Sequence, residues 1–351
     1  MNHLFEREPK EIKKSKKSSI ILGIVLILIL IGFWFFYQIY LLNSPGEEVI
    51  FNIKKGEGMR DISSNLKKAG LIKSEILFNF AVILKGVQGN LQAGIYSLSP
   101  SMSISEILEK INSGEIAKES ITIIEGWNLK DIGKFLEKIE LYNSDEFFEM
   151  VGYNSSPSQD FSQDFEFLKE KPENASLEGY LFPDTYEIKK GESLENVIRK
   201  MLDNFDKKIT NDLREEIKTQ NRTLYQVLTM ASLLEREVKS YEHRQIAAGI
   251  LWKRLRNGWP LHVDATLVYI TGKGSEELTK DDLEIDSPYN TYKYYGLPAG
   301  PICNPGIDSI KAAVDYKESD YWFYLTTPSG QTEFSKTLNE HNIKRFEYLN
   351  K

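Results

Sequence analysis

Cysteine is almost missing. Cys303 is the only one in 351 residues, so no intrachain disulfide and no cysteine-ligated metal site can form. Histidine is scarce as well: His3, His243, His262 and His341 show no ligand spacing, and no metal is expected. There is no glycine-rich phosphate loop, and no cofactor is expected. Positive charge is lacking beyond the N-terminus. Residues 1–19 hold six Lys/Arg against three Glu, while the whole chain is −7, which leaves about −10 on the remainder. That balance argues against nucleic acid as a partner.

One long apolar run is present. From Ile20 to Tyr37 there is no charged or strongly polar residue, and Ile39 to Leu42 continue the run after Gln38. As a helix rising 1.5 Å per residue, this segment crosses about 30 Å of hydrocarbon. Trp34, Tyr37 and Tyr40 crowd its far end, as at a membrane–water boundary. Lys10, Lys13, Lys14, Lys16 and Lys17 precede it, which places the N-terminus in the cytoplasm and residues from about Asn43 outside. A cleaved signal peptide is the competing reading, but the run is too long and Leu41-Leu42-Asn43 lacks a small-x-small cleavage pattern.

An internal repeat follows. Phe51-Asn-Ile53-Lys-Lys-Gly56-Glu-Gly-Met59-Arg-Asp61-Ile62 recurs at an offset of 70 as Ile121-Thr-Ile123-Ile-Glu-Gly126-Trp-Asn-Leu129-Lys-Asp131-Ile132, with Leu66 matching Leu136. Each copy reads as a strand, a glycine turn and an amphipathic helix. In the first copy a helix over Ile76–Leu84, a strand at Ala93–Leu98 and a capping box at Ser103–Glu106 follow, with Gly114 closing the last helix. Strand, helix, helix, strand resembles LysM-type glycan-binding modules; a plain spacer off the membrane is the alternative. The expected layout is a basic tail at 1–19, a transmembrane helix at 20–41, a LysM-like module at 43–118, a second repeat unit with polar linker at 119–176 and a larger domain, which carries the densest motifs, at 177–351. The fold class is α+β throughout.

Residues 152–176 are polar and aperiodic, with Ser158-Gln-Asp-Phe161 repeated at once as Ser162-Gln-Asp-Phe165. They read as a surface loop or insertion. Beyond them, helices are predicted around 193–207, 209–218, 224–238, 242–256 and 307–314, a strand over Leu261–Ile270, and a terminal hairpin from Tyr321–Thr326 and Thr332–Phe334.

The helix at 224–238 carries the sharpest signal. At about 100° per residue, Leu224, Val227, Leu228, Ala231, Leu234 and Val238 form one apolar stripe. Glu235 falls inside it and Glu237 points away. An unpaired carboxylate among aliphatic side chains resists ionisation, which is how an enzyme obtains a general acid near neutral pH. An ion pair with Lys239 at i, i+4, or with a basic residue from elsewhere, is the open alternative.

Five strings in order resemble the YceG-like family, also called MltG, of endolytic murein transglycosylases. They are Glu178-Gly-Tyr-Leu-Phe-Pro-Asp-Thr-Tyr186, Ala231-Ser-Leu-Leu-Glu-Arg-Glu-Val238, Asp264 with Thr266 and Tyr269, Ser287-Pro-Tyr-Asn-Thr-Tyr292, and Gly296-Leu-Pro through Ile302-Cys-Asn-Pro-Gly306. His262 and Ala265 depart from the Gln and Pro usual in the family, and the region 150–176 looks expanded.

The resemblance implies that Glu235 is the catalytic residue and that the substrate is the β-1,4 bond between N-acetylmuramic acid and N-acetylglucosamine in peptidoglycan. Glu235 would protonate the glycosidic oxygen and then take the proton of the muramic C6 hydroxyl, which closes on C1 as a 1,6-anhydro sugar. Cleavage inside nascent strands, and peptidoglycan synthases (penicillin-binding proteins) as partners, follow from the resemblance alone. Glu178, Tyr180, Asp184, Tyr289, Asn290, Thr291 and Asn304 are candidate sugar contacts, although the Pro-rich context of several also suits turns. Asp264 reads as structural. A glycoside hydrolase would need a second carboxylate, with Glu178, Asp184 or Asp264 available. A non-catalytic glycan-binding scaffold for cell-wall synthases is the remaining rival. Ser64-Asn-Leu-Lys67 matches an S-x-x-K motif, but its companion motifs are missing.

Overall fold

The computed structural model describes residues 16–40, 45–153 and 157–349; the basic tail before Lys16, Leu41–Asn43 and Lys351 lie outside them. Two units emerge. The first extends to Glu119 and takes in Lys189–Gly191; the second comprises Ser120–Ile188 and Glu192 onward.

The first unit begins with α1 (Lys16–Tyr40). Its segment Ile20–Ile39 is long and apolar enough to cross a membrane, the single such helix among the described residues. Then come β1 (Val49–Ile53), α2 (Met59–Lys68), α3 (Glu75–Lys85), β2 (Gly94–Leu98) and α4 (Ile104–Ser113). β1 and β2 pair antiparallel from Val49↔Leu98 to Ile53↔Gly94. Every second residue of β1 turns inward at its end, so Phe51 and Ile53 meet Ile62, Leu66, Phe78, Val82, Leu98 and Ile107 in one core. Ile39, from the last turn of α1, is buried in that core. The expected capping box on α4 forms: Ser103 Oγ accepts from Glu106 N at 3.2 Å while Glu106 Oε2 accepts from Ser103 N at 2.7 Å.

The second unit repeats this order. β3 (Lys118–Thr122), α5 (Leu129–Lys138), α6 (Ser144–Val151) and β4 (Thr185–Lys189) follow one another, and β3 pairs with β4. Gly56 and Gly126 hold the equivalent turns at φ 92° and 82°, where a side chain would be strained. The stretch before β4 is no surface loop. Phe161, Phe165, Phe167 and Leu168 are buried in the main core around a short 3₁₀ turn at Glu166–Glu170. Without a regular element their aromatic spacing has no period to read. Their cover comes from a helix further along the chain, α7 (Leu194–Lys208): the Phe167 ring lies 4.9 Å from that of Phe205, and the Arg199 guanidinium sits 5.3 Å over Phe161.

The chain continues through α8 (Asn211–Thr219), α9 (Leu224–Glu237), α10 (Tyr241–Arg256), α11 (Asp264–Thr271), α12 (Ile307–Val314), the hairpin β5 (Phe323–Thr326) and β6 (Thr332–Ser335), and α13 (Leu338–Leu349). α13 was not anticipated. α9 is buried on every side from Val227 to Leu234, so the single apolar stripe understates its burial. The predicted strand over Leu261–Ile270 is corrected: residues from Asp264 are helical, with Thr266 Oγ1 donating to Val263 O at 2.8 Å and Gly272 closing the turn at φ 70°. Ala265, Thr266 and Leu267 are buried in succession, and that tertiary burial overrides the β-propensity of the segment.

α10 approaches the chain after α12 closely. A Cβ on Gly249 would stand 2.0 Å from Lys317 O. Gly249→Ala therefore forces backbone apart and is expected to cost about 1–3 kcal/mol, read as a lowered denaturation midpoint; a stability equal to wild type would show that this approach is not tight.

Candidate functional site

Glu235 closes the last turn of α9. The chain leaves the helix through extended Val238, is capped by Ser240 and returns along α10. This reversal brings Arg244 back over Glu235. Arg244 Nε donates to Val238 O at 2.7 Å and Nη2 to Glu235 Oε1 at 2.8 Å. The Glu235 and Arg244 side chains are 6% and 9% exposed. Gly306 N, at the N-cap of α12, donates to Glu235 Oε2 at 3.0 Å. The expectation of an unpaired carboxylate is thus corrected. A basic residue from the next helix meets it, not Lys239, and both oxygens face N–H donors beside a helix N-terminus.

A second carboxylate, which sequence reasoning did not select, lies alongside. Glu125 and Gly126 form the turn between β3 and α5. A Cβ on Gly126 would lie 3.6 Å from Glu235 Cγ, and Arg236 Nη1 donates to Gly126 O at 3.3 Å. A Cβ on Gly306 would fall 2.0 Å from Glu125 Oε1. Both carboxylates therefore abut Gly306. Glu125 is exposed as a residue, but its carboxyl end rests on buried Gly306. Its pKa is raised, first by burial and then by the negative charge of Glu235; Asp308 adds to the rise and Arg244 opposes it.

Behind the turn sits a third acid. Glu178 is 2% exposed and accepts from Leu129 N at 3.1 and 3.2 Å, from Asn304 Nδ2 at 3.2 Å and from Tyr269 Oη at 3.4 Å. It thereby caps the start of α5. Asn304 ties the region together. Its Oδ1 accepts from Gly179 N and Leu181 N, each at 3.0 Å, its Nδ2 donates to Trp127 O at 3.0 Å, and its carbonyl accepts from Gly126 N at 3.0 Å. This network fixes the turn that carries Glu125.

Burial pushes Glu178 up to about 8, against the lowering effect of the Leu129 N–H. The unfolded chain loses this proton near 4.5 while the folded chain keeps it to about 8. Stability from this group is full below pH 4.5 and falls as pH rises through 8, by at most about 1.4 kcal/mol per pH unit. Glu178→Gln is expected to flatten that decline in denaturation midpoints measured from pH 5 to 8; an unaltered slope would assign it to other groups.

Residues 51–346 match the YceG-like family. The chain belongs to the YceG-like family. It is 34% identical to the endolytic murein transglycosylase of Bacillus subtilis (strain 168), covering 92% of this chain and 91% of that one. It is 31% identical to the protein of the same name in Streptococcus pneumoniae serotype 2, covering 93% of this chain and 64% of that one. A crystal structure described as a putative YceG-like protein from Listeria monocytogenes matches with a TM-score of 0.59 and 32% identity, over 86% of this chain and all of that one.

The other residues singled out from the sequence of this YceG-like protein fall into three places. Glu178 and Asn304 meet behind the Glu125 turn, as described, and are interior. Tyr289 is half-buried against Tyr269, with ring centroids 5.0 Å apart, and so borders that network. Tyr180 is fully buried among Phe167 and Phe205. Asn290 and Thr291 are also interior. Asn290 Nδ2 donates to Leu283 O and Ile285 O at 2.9 Å each, and Thr291 Oγ1 accepts from Val263 N at 3.0 Å. The Asn290 and Thr291 side chains thus meet the protein's own backbone, as the turn-holding alternative for Asn290 has it. Asp184 lies at the start of β4, held by Asn204 at 3.0 Å and Lys208 at 3.7 Å, which with the Thr185 N–H keep its pKa low. Asp264 accepts from Tyr292 Oη. Its charge, second to burial, raises Glu237 to about 7, while Ala265 N–H donates to Glu237 at 3.3 Å.

The signal for Glu125 was present in the repeat. The two copies share their glycine turn, yet the position occupied by Lys55 in one is Glu125 in the other. Arg244 gave no signal, because it lies nine positions beyond Glu235, across a helix break.

Proposed function

We propose that this membrane-anchored YceG-like protein is a lytic transglycosylase of peptidoglycan, cleaving the β-1,4 bond between N-acetylmuramic acid and N-acetylglucosamine with formation of 1,6-anhydro ends. The observation that carries the reading is Glu235, fixed by Arg244 and Gly306 in a chain whose relatives are named endolytic murein transglycosylases. A fixed carboxylate suits the second half of the reaction: it takes the C6 hydroxyl proton as that oxygen closes on C1. No water is consumed. In this reading α1 is a single span with the N-terminus inside and both units outside, the first unit is a LysM-like glycan-binding module, cleavage falls within nascent strands, and peptidoglycan synthases are partners.

Mass spectrometry of products from purified sacculi tests the proposal. Full-length protein in detergent should release anhydro-ended fragments. Reducing ends would replace the lyase with a hydrolase, and unaltered strand lengths after long incubation would leave only a glycan-binding scaffold.

A further inference from the structure

We infer that Glu125 is the proton donor of this site, working with Glu235 as the proton acceptor; the inference rests on the lyase reading above. Three observations point to it. First, both Glu235 oxygens already accept hydrogen bonds from the protein, Oε1 from Arg244 Nη2 at 2.8 Å and Oε2 from Gly306 N at 3.0 Å, as suits a proton acceptor held in place. Second, Glu125 is open to solvent as a residue and, among the described residues, has no hydrogen-bond or ion-pair partner of its own. Third, the fold makes room for its carboxyl end. Any side chain at 306 would start 2.0 Å from Glu125 Oε1, although Gly306 has an ordinary extended backbone at φ −71°. The Glu125 carboxyl lies in the space that a side chain at 306 would share.

The turn itself does not need a glutamate. Gly56 makes the same turn in the first repeat copy, after Lys55. In the second copy the turn is tied down from behind by Asn304, through Gly126 N and Trp127 O. A solvent-facing acid on a rigid turn, next to a fixed carboxylate, is the arrangement that separates acid from base. The raised pKa of Glu125, from burial and from the charge of Glu235, keeps its proton available in the same direction.

The step balances. The Glu125 carboxyl proton moves to the glycosidic oxygen as the C1–O bond breaks and the electron pair leaves with that oxygen. The C6 oxygen bonds to C1, and its proton moves to Glu235. The site then holds Glu125 ionised and Glu235 protonated, and the proton returns from Glu235 to Glu125 through solvent before the next turnover.

The experiment follows anhydro-end release from purified sacculi by full-length protein in detergent, from pH 4 to 9. A donor must be protonated, so the wild-type rate should fall as pH rises through the Glu125 pKa. Glu125→Gln should lower kcat by about 10²–10⁴-fold, leave KM unchanged and lose that alkaline limb; Glu125→Asp should restore part of the rate with the limb. Glu125→Ala should lose the rate and the limb alike, and circular dichroism should show it folded. Wild-type rate or an unchanged limb in Glu125→Gln overturns the assignment. If Glu125→Gln does not fold, the wild-type rate in folded Glu125→Ala overturns it instead. Anhydro ends from wild type together with an indifferent Glu125→Gln sink the donor alone, whereas reducing ends from wild type sink the lyase reading and this inference with it.

Discussion

Full-length protein carrying Glu235→Gln is expected to release anhydro ends about 10³-fold more slowly than wild type, or worse, while still unfolding cooperatively. The two halves of that expectation have separate causes. The amide keeps the size of the carboxyl, and its oxygen can still accept from Arg244, so α9 and α10 remain bridged. It presents an NH₂ where Gly306 N now donates at 3.0 Å, which costs about 1–3 kcal/mol as an unpaired buried donor. A domain of this size tolerates that. Chemistry does not, because an amide takes no proton from the C6 hydroxyl, and acid–base groups of this kind contribute about 10²–10⁴-fold each. Product release at the wild-type rate by the folded variant would remove Glu235 from the reaction.

Much of the fold was legible because it rests on local signals. The repeat, the capping box at Ser103–Glu106 and the terminal hairpin all have short-range signatures, and each formed as read. Glu235 was legible too, as a carboxylate on an apolar helix. What surrounds it was not. Arg244 reaches it only because the chain breaks at Val238 and doubles back, and a helical wheel is blind past the end of its own helix. Glu125 comes from 110 residues away in the chain, and a turn glutamate beside glycine reads as solvated until a neighbour is seen beneath it. The same limit explains the segment before β4, where Phe161 and Phe165 sit in polar repeats yet are buried in the main core. Leu261–Ile270 failed for the opposite reason. Its β-branched residues favoured a strand locally, and burial of the consecutive Ala265, Thr266 and Leu267 won.

Arg244→Met carries the second large effect. Arg244 is 8% exposed, and its guanidinium meets both Glu235 and the carbonyl of Val238. Removing it strands a carboxylate whose side chain is 6% exposed, and breaking a buried pair from one side costs about 3–5 kcal/mol. The expected result is a lower denaturation midpoint with an unchanged dependence on denaturant, and loss of activity as Glu235 is no longer held. Removing both charges should cost less than the sum of the two single changes, since Glu235→Gln with Arg244→Met leaves neither an orphaned cation nor an orphaned anion. A coupling energy of about 1–3 kcal/mol in that cycle would identify the pair as a unit. Additive costs would mean that Arg244 serves the α9–α10 turn through Val238 alone, and that Glu235 is held by Gly306 without it.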